Sequence, residues 1–208
     1  MAFSSVTPQN PQGVWDVLKA GNARFAQERA EHPHSDIARR VQLSSGQAPR
    51  AVVLSCSDSR VPVELVFDVG LGDIFVVRTA GHILDMAVLG SLEFAIDGLG
   101  VDLVVVMGHE SCGAVAATVA ALDGGDIPDG LQRTLVEKVA PSVLVSRRNG
   151  SADTASAERT HVEETIDQLY QRLPSLRSKI EDGRCGLVGL RYLLDDGHVE
   201  VLDTHGVK

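Results

Sequence analysis

The chain has 208 residues, 44% apolar and 23% charged, which suits one domain with a sizeable core. Its 19 basic and 28 acidic residues leave a net charge of −9 with no dense Lys/Arg run, and this argues against nucleic acid, whose phosphates need a basic footprint. Three cysteines suggest no disulfide framework and fit a reducing, cytoplasmic setting.

Residues 1–5 lack a basic stretch followed by an apolar one, so no secretory leader is expected, and the first ten residues are the one candidate for disorder. No apolar run reaches the ~18 residues of a membrane span. The longest candidate, Gly81 to Met107, is broken by Asp85, Glu93, Asp97 and Asp102.

Pro11 to Glu28 reads as an amphipathic helix with Val14, Val17, Leu18 and Phe25 on one face, although Gly21 and Asn22 weaken it. It can pack on its own domain or on a partner subunit. Residues 29–50 read as a loop with one short helix at Ile37 to Leu43. Ala51 to Ser55 is a buried strand, Pro62 to Val66 a helix or turn, and Asp73 to Arg78 a second strand. A helix is predicted over Asp85 to Leu99, a third strand over Asp102 to Gly108, and an Ala/Val-rich helix over Ser111 to Leu122. After a Gly/Asp/Pro loop, Leu131 to Val145 reads as a helix bent at Pro141, Arg147 to Ala155 as a polar linker, and Glu158 to Leu173 as a helix stopped by Pro174. Cys185 to Leu194 is a fourth strand, Asp195-Asp196-Gly197 a hairpin turn, and His198 to Leu202 the returning strand.

This alternation predicts an α/β fold: a mostly parallel sheet flanked by helices, with an antiparallel C-terminal edge strand. Continuous apolar runs imply strands buried on both faces. The chain is read as a single domain, residues 1–208, with an N-terminal helical arm (1–50) and an α/β core (51–208).

Two segments carry chemistry. Cys56-Ser57-Asp58-Ser59-Arg60 follows the first strand, and His109-Glu110-Ser111-Cys112 follows the third. In open α/β sheets, ligands bind beyond the carboxyl ends of strands, so neighbouring strands would bring Cys56, His109 and Cys112 together. Two thiolates and an imidazole form a zinc set with one open position. Asp58 and Arg60, two residues apart, can pair so that the carboxylate stays ionised and directed. That carboxylate can orient a hydroxide or swing in as a fourth ligand and close the site. A structural zinc site would need a further ligand, and Cys185 reads as a core thiol. A thiol redox protein would need a CxxC or a nearby resolving cysteine, and neither is present.

These motifs resemble the β-class carbonic anhydrases, whose Cys-x-Asp-x-Arg is matched at Cys56, Asp58 and Arg60 and whose His-x-x-Cys is matched at His109 and Cys112. The resemblance spans roughly residues 11–122. It implies reversible hydration of carbon dioxide to bicarbonate and a proton, by zinc-hydroxide attack with the Asp58–Arg60 dyad orienting the hydroxide. It also implies a substrate pocket: Gln47 donating to a bound oxygen, Phe75 and Ala80 as apolar wall with Val61, and Gly113 supplying an amide. Phe94 stands where plant-like members carry Tyr, so one hydroxyl is missing. Arg78 and Tyr192 resemble two parts of a non-catalytic bicarbonate site found in some members, but Val53 replaces its Trp, which argues against that site here. His82 is a candidate proton relay or a structural histidine. The resemblance further implies a homodimer or homotetramer with the first helix embracing the partner. Some relatives hydrolyse carbonyl sulfide or carbon disulfide with the same ligands, and a zinc-stabilised non-catalytic module is the reading from another class.

Overall fold

The computed structural model describes Phe3 and residues 10–208, and the expectations for the rest of the first ten residues, disorder and no secretory leader, lie outside the described residues. A five-stranded sheet forms the centre: β1 (Ala51–Cys56), β2 (Ile74–Thr79), β3 (Leu103–His109), β4 (Gly186–Tyr192) and β5 (Val199–His205), in the order β2-β1-β3-β4-β5. The first four strands run parallel and β5 is antiparallel to β4. From β1 the chain goes first to one side and then to the other. The gap between β1 and β3 is therefore the switch point where such sheets open a crevice.

Alternation along β1 sorts two layers. Ala51 and Val53 face α1 (Pro11–Ala26) through Val14, Trp15 and Leu18, and the short α3 (Val63–Val66). Val52 and Leu54 face α4 (Met86–Glu93), α7 (Thr154–Arg172) and α8 (Pro174–Glu181), contacted through Leu92, Ile166 and Leu176. A smaller cluster of Cys56, Cys112, Val115 and Val139 covers the carboxyl ends, built with α5 (Gly113–Leu122) and α6 (Arg133–Arg148). The remaining helix, α2 (Ile37–Gln42), buries none of its residues.

The first helix begins where Asn10 accepts from the Gly13 amide at 2.8 Å, with Pro11 in its first turn. Gly21 and Asn22, poor helix formers, are there for tertiary reasons. A Cβ on Gly21 would fall 1.8 Å from the Phe67 carbonyl oxygen. The Asn22 side chain donates to the Val66 and Gly197 carbonyls and accepts from the Val199 amide. In the single chain α1 thus packs on its own sheet.

Several boundaries differ from expectation. β1, β3 and β4 are buried throughout, but β2 is an edge strand and only half-buried. The helix expected to reach Leu99 changes to a π turn at Phe94–Gly98. The linker expected at 147–155 is shorter: α6 runs to Arg148, held by Arg147 against Asp123 at 2.6 Å, and Asp153 caps α7 by accepting from the Ser156 amide. Pro141 lies within α6, and Pro174 both ends α7 and starts α8 in the first-turn position where its missing N–H costs nothing. Among the described residues no helix is long and apolar enough to cross a membrane.

Candidate metal centre

Cys56 ends β1 and His109 ends β3, while Cys112 is the N-cap of α5. Ser111 takes φ 55°, a left-handed turn that brings Cys112 back toward His109. The ligand atoms of Cys56, His109 and Cys112 lie within 4.8 Å of one another, and all three residues are buried.

The His109 Nδ1 lies 2.8 Å from the Glu110 carbonyl oxygen. A carbonyl can only accept, so Nδ1 carries the proton and Nε2 presents a lone pair. That Nε2 is buried without a hydrogen-bond partner among the described residues. An orphaned nitrogen facing two thiols is the expected ligand arrangement for zinc, and a donor set of two sulfurs and one nitrogen suits that ion. Zinc is therefore the cofactor that this cluster fits.

Protons in the cluster distribute unevenly. The facing Cys112 thiol, the His109 ring and the Gly81 amide hold the Cys56 thiol well below its ordinary pKa, against its burial. The same pairing with Cys56, together with burial, pushes Cys112 up. Burial opposes protonation of His109, but the facing Cys56, the Glu110 carbonyl and the Asp58 carboxylate together outweigh it and raise the ring.

Asp58 accepts from Arg60 three times: from its amide at 2.9 Å, from Nε at 3.0 Å and from Nη2 at 2.8 Å. The Arg60 guanidinium holds the Asp58 carboxyl far below the usual carboxylate range. The guanidinium is itself tied to the Ser111 carbonyl at 3.2 Å. Asp58 Oδ2 stands 3.9 Å from His109 Nε2, so the pair borders the ligand cluster while Asp58 remains engaged with Arg60. Asp58 therefore stands outside the cluster of three candidate ligands.

Ala80 and Gly113 adjoin the site along the chain. Ala80 precedes Gly81, whose amide donates to Cys56 Sγ at 3.3 Å, and Gly113 follows Cys112 at the start of α5. Gln47, Phe75 and Phe94 are not brought there by their own chain. Gln47 precedes β1 at its amino end and lines a groove with Arg39, Gln42 and Ala48. Phe75 pairs with Val52 in the sheet, about 13 Å of strand from the Cys56 register. It packs on Phe94, with ring centroids 6.2 Å apart. Val61 is buried in the α1-side core.

His82 is a structural histidine, not a relay. It is 2% exposed, neither ring nitrogen has a hydrogen-bond partner among the described residues, and burial pushes its pKa well down, which favours the neutral ring away from solvent. Arg78 donates to the Cys56 and Asp58 carbonyls and so fixes the loop that carries the dyad.

The residue reading missed the support behind Cys112. Its amide donates to Glu158 Oε1 at 3.0 Å, and Glu158 Oε2 accepts from Arg191 Nε and Nη2 at 3.0 and 2.8 Å. Both charged side chains are about 3–4% exposed. The available signal was a lone arginine inside the otherwise apolar strand Gly-Leu-Val-Gly-Leu-Arg-Tyr. Burying it requires a carboxylate partner.

A family model described as carbonic anhydrase matches residues 51–199. The chain is 50% identical over 192 residues to the carbonic anhydrase of Mycolicibacterium smegmatis, covering 92% of this chain and 93% of that one. It is 48% identical over 197 residues to carbonic anhydrase 2 of Mycobacterium tuberculosis, covering 95% of each. A tetrameric β-carbonic anhydrase of the ascomycete Sordaria macrospora shares the fold, with a TM-score of 0.71 at 24% identity over 92% of this chain and 97% of that one. With its Cys-His-Cys cluster and its sheet topology, this chain belongs to the carbonic anhydrase family, in the β class.

Proposed function

We propose that this protein catalyses the reversible hydration of carbon dioxide to bicarbonate and a proton. The observation that carries the reading is the buried Cys56–His109–Cys112 cluster with an ion-paired carboxylate at its edge. Zinc held by those three residues supplies the power to ionise water near neutral pH. The Asp58 carboxylate, kept ionised and fixed by Arg60, accepts a hydrogen bond from the attacking water and turns a lone pair toward the carbon. Gly81 and Glu158 hold the backbone and sulfur positions of the two cysteines. Asp58 would serve as a fourth ligand only by loosening its hydrogen bonds from Arg60.

The substrate pocket is completed by a second copy of the chain. Gln47 sits about 20 Å of strand length from its own Cys56, too far to touch the same small substrate. The surface also exposes large apolar side chains, Ile37 and Val41 of α2 and Met86 and Phe94. A homodimer is the smallest assembly that covers this surface and supplies Gln47, Phe75 and Phe94 across the interface. A tetramer, as in the Sordaria enzymes, would be a pair of such dimers. The thiols are all free, and a reducing cytoplasm fits them.

Stopped-flow hydration of carbon dioxide across pH, with zinc quantified in the same sample, tests the activity. About one zinc per chain and a rate that climbs toward alkaline pH are expected, because the ionised form of water is the nucleophile. Full zinc without hydration at any pH would reject the reading, and carbonyl sulfide would then be the substrate to try.

A further inference from the structure

The turn that donates to Cys56 is improbable on its own. Gly81 (φ 66°) and His82 (φ 41°) are both left-handed. Glycine tolerates this at the cost of being floppy, and a histidine there is strained by about 1 kcal/mol or more. No side chain larger than hydrogen fits at position 81, because a Cβ would fall 2.8 Å from Ala114 Cβ. Something must therefore hold a flexible residue so that its N–H stays on the Cys56 sulfur 3.3 Å away.

That brace comes from α7. His161 Nε2 lies 2.9 Å from the Gly81 carbonyl oxygen, and its Nδ1 lies 2.9 Å from Ser142 Oγ on α6. The carbonyl can only accept, so Nε2 carries the proton. Nδ1 is then an acceptor, and the Ser142 hydroxyl donates to it. Heavy-atom geometry thus puts a proton on Nε2, and in the neutral ring Nδ1 accepts from Ser142. Burial acts in the same direction by lowering the ring's pKa. The His161 ring also packs on His82, centroids 4.4 Å apart, against the second strained residue. Ser142, His161 and Gly81 are all buried, so no water substitutes for these bonds.

We infer that His161, oriented by Ser142, is a positioning residue of the metal centre: it locks Gly81 so that the Gly81 amide donates permanently to the Cys56 thiolate. An amide donor on a ligating sulfur draws off electron density and sets the orientation of the ligand, as outer partners of metal ligands do. This inference rests on the metal-centre reading of Cys56, His109 and Cys112.

The test uses the full chain loaded with zinc, and separately with cobalt, whose sulfur-to-metal charge-transfer band reports electron density on the thiolates. His161→Leu removes the donor to Gly81. Its band should move to longer wavelength, and zinc retention against a chelator should weaken by about 10- to 100-fold. His161→Gln, which keeps an N–H donor, should return both toward the parent. Ser142→Ala frees the tautomer and should move the band the same way by less, and it decides the matter if His161→Leu does not fold. Parent-like band and retention in a folded His161→Leu or Ser142→Ala protein would overturn the inference, as would a Gln variant no better than Leu. Absence of any thiolate band in the cobalt-loaded parent would overturn the metal-centre reading itself.

Discussion

At the scale of single residues, Asp58 and the ligands separate cleanly. The Asp58 carboxylate takes its hydrogen bonds from Arg60, while its backbone N–H turns to the Cys56 sulfur, so the side chain is expected to contribute chemistry rather than metal binding. Asp58→Asn keeps the shape and removes the charge. Hydration should fall by about 10- to 100-fold while zinc per chain stays at the parent value. Stopped-flow rates with metal analysis on the same preparation check this, and zinc lost along with activity would make Asp58 a ligand instead. The ligands were legible in the sequence because each follows an apolar strand in an α/β pattern, which restricts where Cys56 and His109 can point. His82 was not. Nothing local distinguishes a histidine at a site's rim from one sealed under α7, since burial comes from elements nearly eighty residues away. Glu158 and Arg191 were hidden for the same reason: their meaning lies in each other.

At the scale of elements, the joints around α1 depend on two buried polar groups. Asn22→Ala leaves the Val66 and Gly197 carbonyls and the Val199 amide without their partner, and should cost about 2–4 kcal/mol, read as a lower urea midpoint with unchanged slope. Asp68 makes a second joint. Burial alone would raise its carboxyl, but the Glu31 and His32 amides and the Arg24 guanidinium win and hold it below its ordinary value. A depressed folded pKa means stabilisation that is complete above the unfolded value of about 3.9 and is lost as pH falls through the folded one. Asp68→Asn lacks it at every pH. The stability gap between parent and variant should therefore be widest near neutrality and close as pH drops below about 4. Urea titrations at several pH values check this, and a gap independent of pH would show that the charge is irrelevant. The boundaries missed in the sequence lie at such joints. Pro174 ends one helix and begins another, and which role it plays depends on where Leu173 and Leu176 find a core.

At the scale of the whole molecule, the chain alone assembles the metal centre but not the pocket that its motifs imply. Parallel strands explain this: residues before β1 and residues after it lie at opposite ends of the sheet, whatever their sequence spacing. If a second copy supplies Gln47, each site mixes the metal ligands of one protomer with the pocket of the other. Two defective chains should then rescue one another. A Cys56→Ala chain lacks its own metal centre but carries an intact Gln47, and a Gln47→Ala chain is the reverse. In a heterodimer one site inherits both defects and the other inherits none. Unfolding and refolding the two chains together in equal amounts makes half the dimers mixed, so about a quarter of all sites should be intact. Activity should exceed the mean of the two variants refolded separately. If Gln47 acts within its own chain, every site in the mixture keeps one defect, and the mixture should equal that mean. The comparison needs no assumption about dimer or tetramer, because it reads which chain completes which site.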